Sequence, residues 1–261
     1  MNTALKDRLG GKLQNRQTEP DTKGMIVPMS NTSLVPVESG YVALANNSAL
    51  DIINENLKNQ PLSFQLFDMV KSPSGGATVF SVPGLTGDEA EKELTGIILD
   101  YTTPRAYWDT PDPVEGTPPI CFSRDSITSH EGKPCSRCEF NTPGSRNGGE
   151  TAAKACKESV AIFLLRPDNI IPLIVRVPVT SKMLFLKYTT RLVGNLTPIS
   201  GVVTKITLER ATSKQGKPYA LFNFEAVNTL SPEEAANAKA FAQKFMEVVN
   251  AAEVLDVGEA V

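Results

Sequence analysis

Histidine, tryptophan and cysteine are scarce in this chain of 261 residues, which has one histidine, one tryptophan and four cysteines. A single histidine, His130, argues against a Ser–His–Asp catalytic site. The chain also lacks a phosphate-binding loop, because Gly75 and Gly76 are not followed by Lys and then Ser or Thr. We therefore expect a protein that is not an enzyme.

Long apolar runs are missing as well. The longest ones, Val160–Leu165 and Ile170–Val177, have the length of β-strands and are too short to cross a bilayer. The first eight residues contain no apolar core of the kind found in secretory signals. We expect a cytoplasmic protein without a membrane partner.

The four cysteines are clustered, and in a reducing cytosol such clustering indicates a metal before disulfides. Cys135 and Cys138 form a C-x-x-C knuckle, while Cys121 lies upstream and Cys156 downstream. The segment between them is rich in glycine and proline and has little apolar mass of its own, so a bound metal would supply the missing constraint. We predict one structural zinc ion held by Cys121, Cys135, Cys138 and Cys156.

Three alternatives to this zinc site stay open. His130 could replace Cys121 as the fourth ligand, because it lies inside the cysteine cluster. Four thiolates also suit iron. Without any metal, Cys121 would be a buried strand thiol and Cys156 a thiol on a helix face.

From residue 94 onward the elements follow a regular order. Apolar and alternating patterns predict strands at 94–103, 159–166, 170–177, 202–211 and 218–227, with a helix at 179–193 between the third and fourth strands. A five-stranded OB (oligonucleotide/oligosaccharide-binding) barrel has this order. We predict a mainly β fold with helices, in which an OB domain at 94–230 carries a zinc-binding insertion, about 104–157, between strands 1 and 2. Another small barrel or an α+β sheet stays open.

The flanking segments differ in character. We expect a flexible N-terminal arm at 1–45 and an extension at 46–93 that packs on the barrel, with a short helix at 48–58, a strand at 78–82 and a loop at 84–93. Ser231 followed by Pro232 and Glu234 predicts a C-terminal helix at 231–251. An acidic tail follows at 252–261, which either frays, recruits replication or recombination proteins, or covers a basic groove when DNA is absent.

Charge is distributed unevenly along the chain. Residues 100–230 carry 16 Lys and Arg against 12 Asp and Glu, a net charge of +4, whereas 231–261 carry 2 against 6, a net charge of −4. Single-strand binding by a barrel uses aromatic stacking platforms beside cations. Candidates lie on the predicted loops and on the two hairpins of the barrel: Arg105, Tyr107, Trp108, Arg124, Arg137, Phe140, Arg146, Arg166, Arg176, Lys205, Lys214, Lys217 and Tyr219.

Several short segments, in this order, resemble a group of phage and mobile-element proteins identified as single-stranded-DNA-binding proteins. They are Pro73–Pro83, Leu94–Ile98, Arg105–Trp108, Pro118–Ser123, Pro134–Cys138, Gly144–Ser145, Ala155–Lys157, Phe163–Pro167 and Gly201–Thr204. The arrangement is also similar to the zinc-bearing OB domain of the replication protein A large subunit, whose four cysteines lie between the first two barrel strands.

These resemblances imply a single-stranded-DNA-binding protein of phage or plasmid type, acting in replication or recombination in the cytoplasm of a bacterial host. Binding would be largely independent of sequence, and the protein could form a homo-oligomer. The alternative is a protein-interaction module, such as a phage factor that binds a host replication or transcription protein. A non-catalytic subunit of a recombination complex is a second alternative.

Overall fold

The structure is a computed structural model that describes residues 40–45, 49–58, 60, 62, 64–110, 117–146 and 152–256. Most of the predicted N-terminal arm, 1–45, therefore lies outside the described residues. The predicted acidic tail, 252–261, lies outside them beyond Asp256.

The residues that the structure describes form four α-helices and ten strands. The helices are α1 (Val42–Ala45), α2 (Ala49–Leu57), α3 (Val179–Gly194) and α4 (Pro232–Asp256). The strands are β1 (Met69–Val70), β2 (Phe80–Val82), β3 (Glu89–Glu91), β4 (Glu93–Thr102), β5 (Arg105–Tyr107), β6 (Cys121–Ser123), β7 (Lys157–Leu165), β8 (Leu173–Pro178), β9 (Val202–Thr212) and β10 (Pro218–Thr229).

The main sheet is mixed and follows the order β1-β8-β7-β4-β9-β10. Its five long strands, β4, β7, β8, β9 and β10, are those expected from the alternating patterns, and all their mutual pairings are antiparallel. β4 is the central strand, because its first half pairs with β9 and its second half with β7. The fold is thus mainly β with a few helices, as predicted.

The sheet curls into a half-barrel. Among the described strands, β8 and β10 are not paired, although their pairing would be needed to close a five-stranded barrel. The outer edge of β8 pairs instead with β1, in parallel. At the β10 edge, the Phe222 amide donates to Ser181 Oγ of α3 at 3.0 Å, so a helix side chain satisfies this backbone group. A closed OB barrel therefore stays a prediction.

Both faces of the central strands are buried. Along β7, Val160, Ile162 and Leu164 enter one cluster, while Ala161, Phe163 and Leu165 enter another. Successive side chains of a strand point to opposite faces, so the continuous apolar run of β7 lies between two cores. We call the cluster with Val160, Ile162 and Leu164 the inner core and the other cluster the outer core. The inner core also contains Phe185 and Tyr188 of α3, and the outer core contains Phe245 and Val249 of α4.

The C-terminal helix begins where the sequence predicts. The Glu234 amide donates to Ser231 Oγ at 3.3 Å, and the Ser231 amide donates to Glu234 Oε2 at 2.9 Å. This reciprocal pair satisfies two backbone donors at the start of the helix. The helix extends to Asp256, five residues beyond the predicted end, and its apolar side covers the outer face of the sheet.

The loop predicted at 84–93 is wrong. Glu89–Glu91 pairs antiparallel with Phe80–Val82 to form a small second sheet. The segment lacks an apolar alternation because two of its three side chains are exposed, and so its sequence resembles a polar loop.

Candidate metal loop and nucleic-acid interface

Two short strands fix the ends of the cysteine-bearing segment. β5 pairs with β6, which places Cys121 opposite Tyr107, and β5 also pairs with the start of β7. Cys156 immediately precedes β7, and its amide donates to the Phe140 carbonyl at 2.8 Å. The segment therefore returns to the edge of the sheet that it leaves.

The C-x-x-C knuckle lies in a tight turn. Residues Cys135–Arg137 form a 3-10 turn, and the Cys138 amide donates to the Cys135 carbonyl at 3.3 Å. The Cys135 amide donates to the Ile127 carbonyl at 2.7 Å, which connects the knuckle to the residues that follow β6. Backbone hydrogen bonds thus position these two cysteines.

All four cysteines line one cavity of about 640 Å³. Burial raises the pKa of the Cys121 thiol, and the neighbouring Cys138 and Cys135 thiols raise it further. Burial also raises the pKa of Cys156, which the nearby Arg105 guanidinium partly offsets. Cys121 and Cys156 are therefore each influenced by the charges of other cysteines of the segment.

The chemistry of this donor set fits a closed tetrahedral thiolate site. The side chains do not converge fully, however. In the part of the chain that the structure describes, no group of three or more His, Cys, Asp or Glu side chains is close enough to hold a metal ion. The zinc insertion consequently stays a prediction.

His130 lies at the rim of the segment. Its ring stacks on Phe122, with centroids 4.7 Å apart and planes 8° apart. The Phe122 amide donates to its Nδ1 at 3.4 Å. His130 is absent from the residues that line the cavity, so this geometry favours Cys121 over His130 as the fourth ligand.

Arg105 is the centre of a polar network beneath the cavity. It donates to Glu158 Oε2 and to Asn141 Oδ1, each at 2.6 Å. Asn141 in turn donates to the Cys135 carbonyl at 2.8 Å, and Lys182 of α3 forms an ion pair with Glu158. The network links the cysteine segment to β7 and α3.

Aromatic side chains lie in and next to the cysteine cavity. The Tyr107 and Phe140 rings stack with centroids 3.9 Å apart and planes 12° apart, and both line the cavity. Trp108 follows Tyr107, and its Nε1 donates to the Thr117 carbonyl at 2.9 Å. The ammonium group of Lys157 lies 5.7 Å from the Trp108 ring centroid, within cation–π range.

Three of the predicted DNA-binding cations lie on this segment in addition to Arg105. Arg137 lines the cavity and is exposed. Arg124 and Arg146 are also exposed on the cysteine-bearing segment. The structure thus brings part of the predicted set together around the cysteines.

Other predicted residues lie at the opposite end of the sheet. β9 extends past Glu93 at the start of β4, so the turn with Lys214 and Lys217, and Tyr219 beside it, is separated from the cysteine segment by the length of β4. That length is roughly 30 Å for ten residues of strand. Arg166 follows the far end of β7 and pairs with Glu91 through contacts of 2.7 and 3.1 Å.

Two predicted cations lie on the sheet itself. Lys205 forms an ion pair with Glu225 on the neighbouring strand at 3.0 Å. Arg176 is half-buried on the outer face, opposite Ala161, and burial lowers the pKa of its guanidinium. The face across β7 and β8, which an OB barrel ordinarily uses for binding, lies under the outer core.

Comparisons with known proteins leave the family open. No family model, curated protein or solved structure matches the chain. The resemblance to single-stranded-DNA-binding proteins therefore stays a prediction. Within the described residues, no helix combines the length and apolarity needed to cross a bilayer.

Sequence reasoning missed the side chains that organise the cysteine segment. Asp125 Oδ1 accepts hydrogen bonds from the amides of Ile127 and Thr128 and from the Ser123 hydroxyl, and the first two hydrogen bonds lower the pKa of Asp125. An Asp followed by Ser126 in a turn-rich stretch is a signal that could have indicated this turn. Glu158 carried no local signal, because its partners are distant in sequence.

Proposed function

We propose that this chain is a non-catalytic single-stranded-DNA-binding protein of phage or plasmid type, acting in replication or recombination. The observation that carries the proposal is the group of aromatic and cationic side chains around the cysteine cavity. Tyr107, Phe140 and Trp108 supply ring faces, and Arg137 and Lys157 supply positive charge beside them. Stacking next to cations is how single strands bind largely independently of sequence.

The pairing of the long strands supports an OB relationship. β4 pairs with β7 and β9, β8 follows β7, and β10 follows β9. Four of the five strand pairs of an OB barrel are thus present, with α3 between the third and fourth strands as that fold requires. We propose an OB-derived half-barrel whose fifth pair is replaced by contacts of β1 and α3.

A structural zinc ion belongs to the proposal. The four cysteines line one cavity, and thiolates are the donors that structural zinc prefers. Cys121, Cys135, Cys138 and Cys156 would hold the ion and so stiffen a segment with few apolar residues. The zinc would act as a brace for the surrounding rings and would take no part in any reaction.

The covered outer face constrains the path of the DNA. Phe163 and Ile174 lie under α4 and the N-terminal extension, so single-stranded DNA cannot lie across the middle of β7 and β8. We propose that the DNA runs along the cysteine segment, past Trp108 and Arg137. Lys214 and Lys217 would then contact DNA only if the DNA is long enough to reach the other end of the sheet.

The covered face is also the observation that favours the alternative. An OB-like domain with its usual binding face occupied could serve as a protein-interaction module for a host replication or transcription protein. Such a module would not need to bind oligonucleotides, so a binding measurement separates the two functions.

Fluorescence anisotropy of labelled oligo-dT tests the proposed function. We expect binding with a Kd of about 1 μM or below at about 50 mM salt, weakening by at least tenfold at about 200 mM as counterions are released. A duplex of the same length is the control and should bind more weakly. Absence of binding at micromolar protein would favour the interaction module, and preference for the duplex would contradict the proposal.

A further inference from the structure

α3 carries two apolar stripes on opposite sides. Phe185, Tyr188 and Leu192 are buried in the inner core. On the other side, side chains at spacings of four and three residues form an outward stripe: Val179, Met183, Leu186, Thr190 and Val193. An ordinary surface helix has one apolar stripe, and a helix that is apolar on both sides is normally covered on both.

The outward stripe is well exposed. Met183 is 61% exposed and Val193 71% exposed, and Leu196, just after the helix, is 96% exposed. The Thr190 hydroxyl donates to the Leu186 carbonyl at 2.7 Å, so its polar group is satisfied within the helix. The stripe runs about 21 Å along the helix, which is long enough to receive a peptide segment.

The charges that α3 itself carries are of one sign. α3 contains Lys182, Lys187 and Arg191 and no acidic residue. Lys182 is paired with Glu158, whereas Lys187 and Arg191 are exposed beside the stripe. Two copies of α3 packed about a twofold axis would bring Lys187, near the middle of the helix, close to its own copy, and this repulsion disfavours such a dimer.

One segment of the chain has the complementary composition. Residues 251–261 contain seven apolar residues, three acidic residues and no basic residue. Residues 1–39, in contrast, carry five Lys and Arg against four Asp and Glu, a net charge of +1. An apolar segment with a charge of −3 matches an apolar stripe flanked by cations.

The segment cannot reach the stripe of its own chain. α3 packs on the inner core and α4 on the outer core, so the two helices lie on opposite faces of the sheet. Helices so placed have axes roughly 20 Å apart, and the stripe is on the far side of α3. The five residues 257–261 span at most about 17 Å when fully extended.

We propose that the outward stripe of α3 binds residues 251–261 of a second copy of the chain. This contact joins different surfaces of the two copies, so it generates a head-to-tail series instead of a closed pair. It does not depend on DNA and therefore stands apart from the proposed function.

Analytical ultracentrifugation of the full chain without DNA tests the docking. We expect the native mass to rise with concentration, and Met183→Glu to shift this rise to a concentration at least about tenfold higher. Leu85→Glu is the matched control, since Leu85 is fully exposed at the turn between β2 and β3, and it should assemble like the native chain. A native chain that stays monomeric, or an equal loss in the control, would overturn the proposal.

Charge exchange tests the identity of the occupant. Lys187→Glu with Arg191→Glu should weaken assembly, and so should Glu253→Lys with Asp256→Lys. A mixture of these two double variants should assemble again, because each supplies one complementary surface. Failure of the mixture to recover, with both variants folded by circular dichroism, would show that residues 251–261 are not the occupant.

Discussion

Arg105 donates to Glu158 Oε2 at 2.6 Å, and each of the two side chains is only 11% exposed. The sequence marks Arg105 as a candidate for contacting DNA. Its guanidinium is instead committed to Glu158 and Asn141, so its main effect is to hold the cysteine segment against β7. Arg105 is a positioning residue in this account.

Glu158→Gln is therefore predicted to lower the free energy of unfolding by about 2–3 kcal/mol, because it leaves the charge of Arg105 buried and without its partner. Urea denaturation measures the change. Glu225→Gln, which breaks the more exposed pair with Lys205, is the control and should cost clearly less. Equal costs in the two variants would contradict the structural role of Arg105.

Metal content is predicted to be about one zinc ion per chain, since four thiolates form a closed site that retains its ion. Cys138→Ser should reduce this content to below about half an equivalent. Ser136 lies between the two cysteines of the knuckle, and the control variant Ser136→Ala should keep the ion. Elemental analysis after gentle purification measures both, and a native chain with less than half an equivalent would refute the zinc loop. Iron in place of zinc would be visible in the same analysis.

The exposed Arg137 and the paired Arg166 are predicted to differ in their contribution to DNA binding. Arg137→Ala should weaken oligo-dT binding and reduce the magnitude of the slope of log K against log salt by about 0.7. Arg166→Ala is the matched control, because Glu91 already neutralises Arg166. Anisotropy titrations at several salt concentrations give the slopes. A larger effect for Arg166 than for Arg137 would place the DNA at the other end of the sheet.

Tyr41 is predicted to make stability fall at alkaline pH. Burial raises its pKa from 10.0 to about 12, and its hydroxyl has no hydrogen-bond partner among the described residues. Ionisation is thus easier in the unfolded chain, so the stabilising effect is complete below pH 10 and is lost as the pH rises from 10 to 12.

The Tyr41→Phe variant checks this pH dependence. The difference in unfolding free energy between the native chain and this variant should change by about 2 kcal/mol across that interval. At neutral pH the variant should be equally stable or more stable, since it removes a buried hydroxyl without a partner. A difference that stays constant with pH would show that Tyr41 ionises freely in the folded protein.

The repetitive elements could be predicted from local sequence. The apolar run of β7, the strand β9 and the Ser231 cap of α4 are each encoded within a few residues, and the structure confirms all three. No side chain of the described residues caps the start of α3. The helix begins at Val179 after Pro178, and Ser181 Oγ instead accepts from the Phe222 amide.

Features that depend on distant partners could not be predicted in this way. Val203 is buried because the outer core covers its face of β9, which the local sequence of that strand does not indicate. The pairing of β1 with β8 rests on two residues, Met69 and Val70, whose pattern is too short to recognise. The grouping of the four cysteines was expected from their spacing, but the Arg105–Glu158 link beneath them joins positions 53 residues apart.

The fluorescence of Trp108 tests the central claim most directly, because this residue is the one tryptophan in the chain and lies beside the cysteine cavity. Titration with oligo-dT should quench or shift its emission in a saturable way, with the same Kd as anisotropy, and Trp108→Ala should weaken binding by about 1–3 kcal/mol. Emission that stays unchanged while anisotropy shows binding would place the DNA elsewhere, and the absence of both signals would contradict single-strand binding altogether.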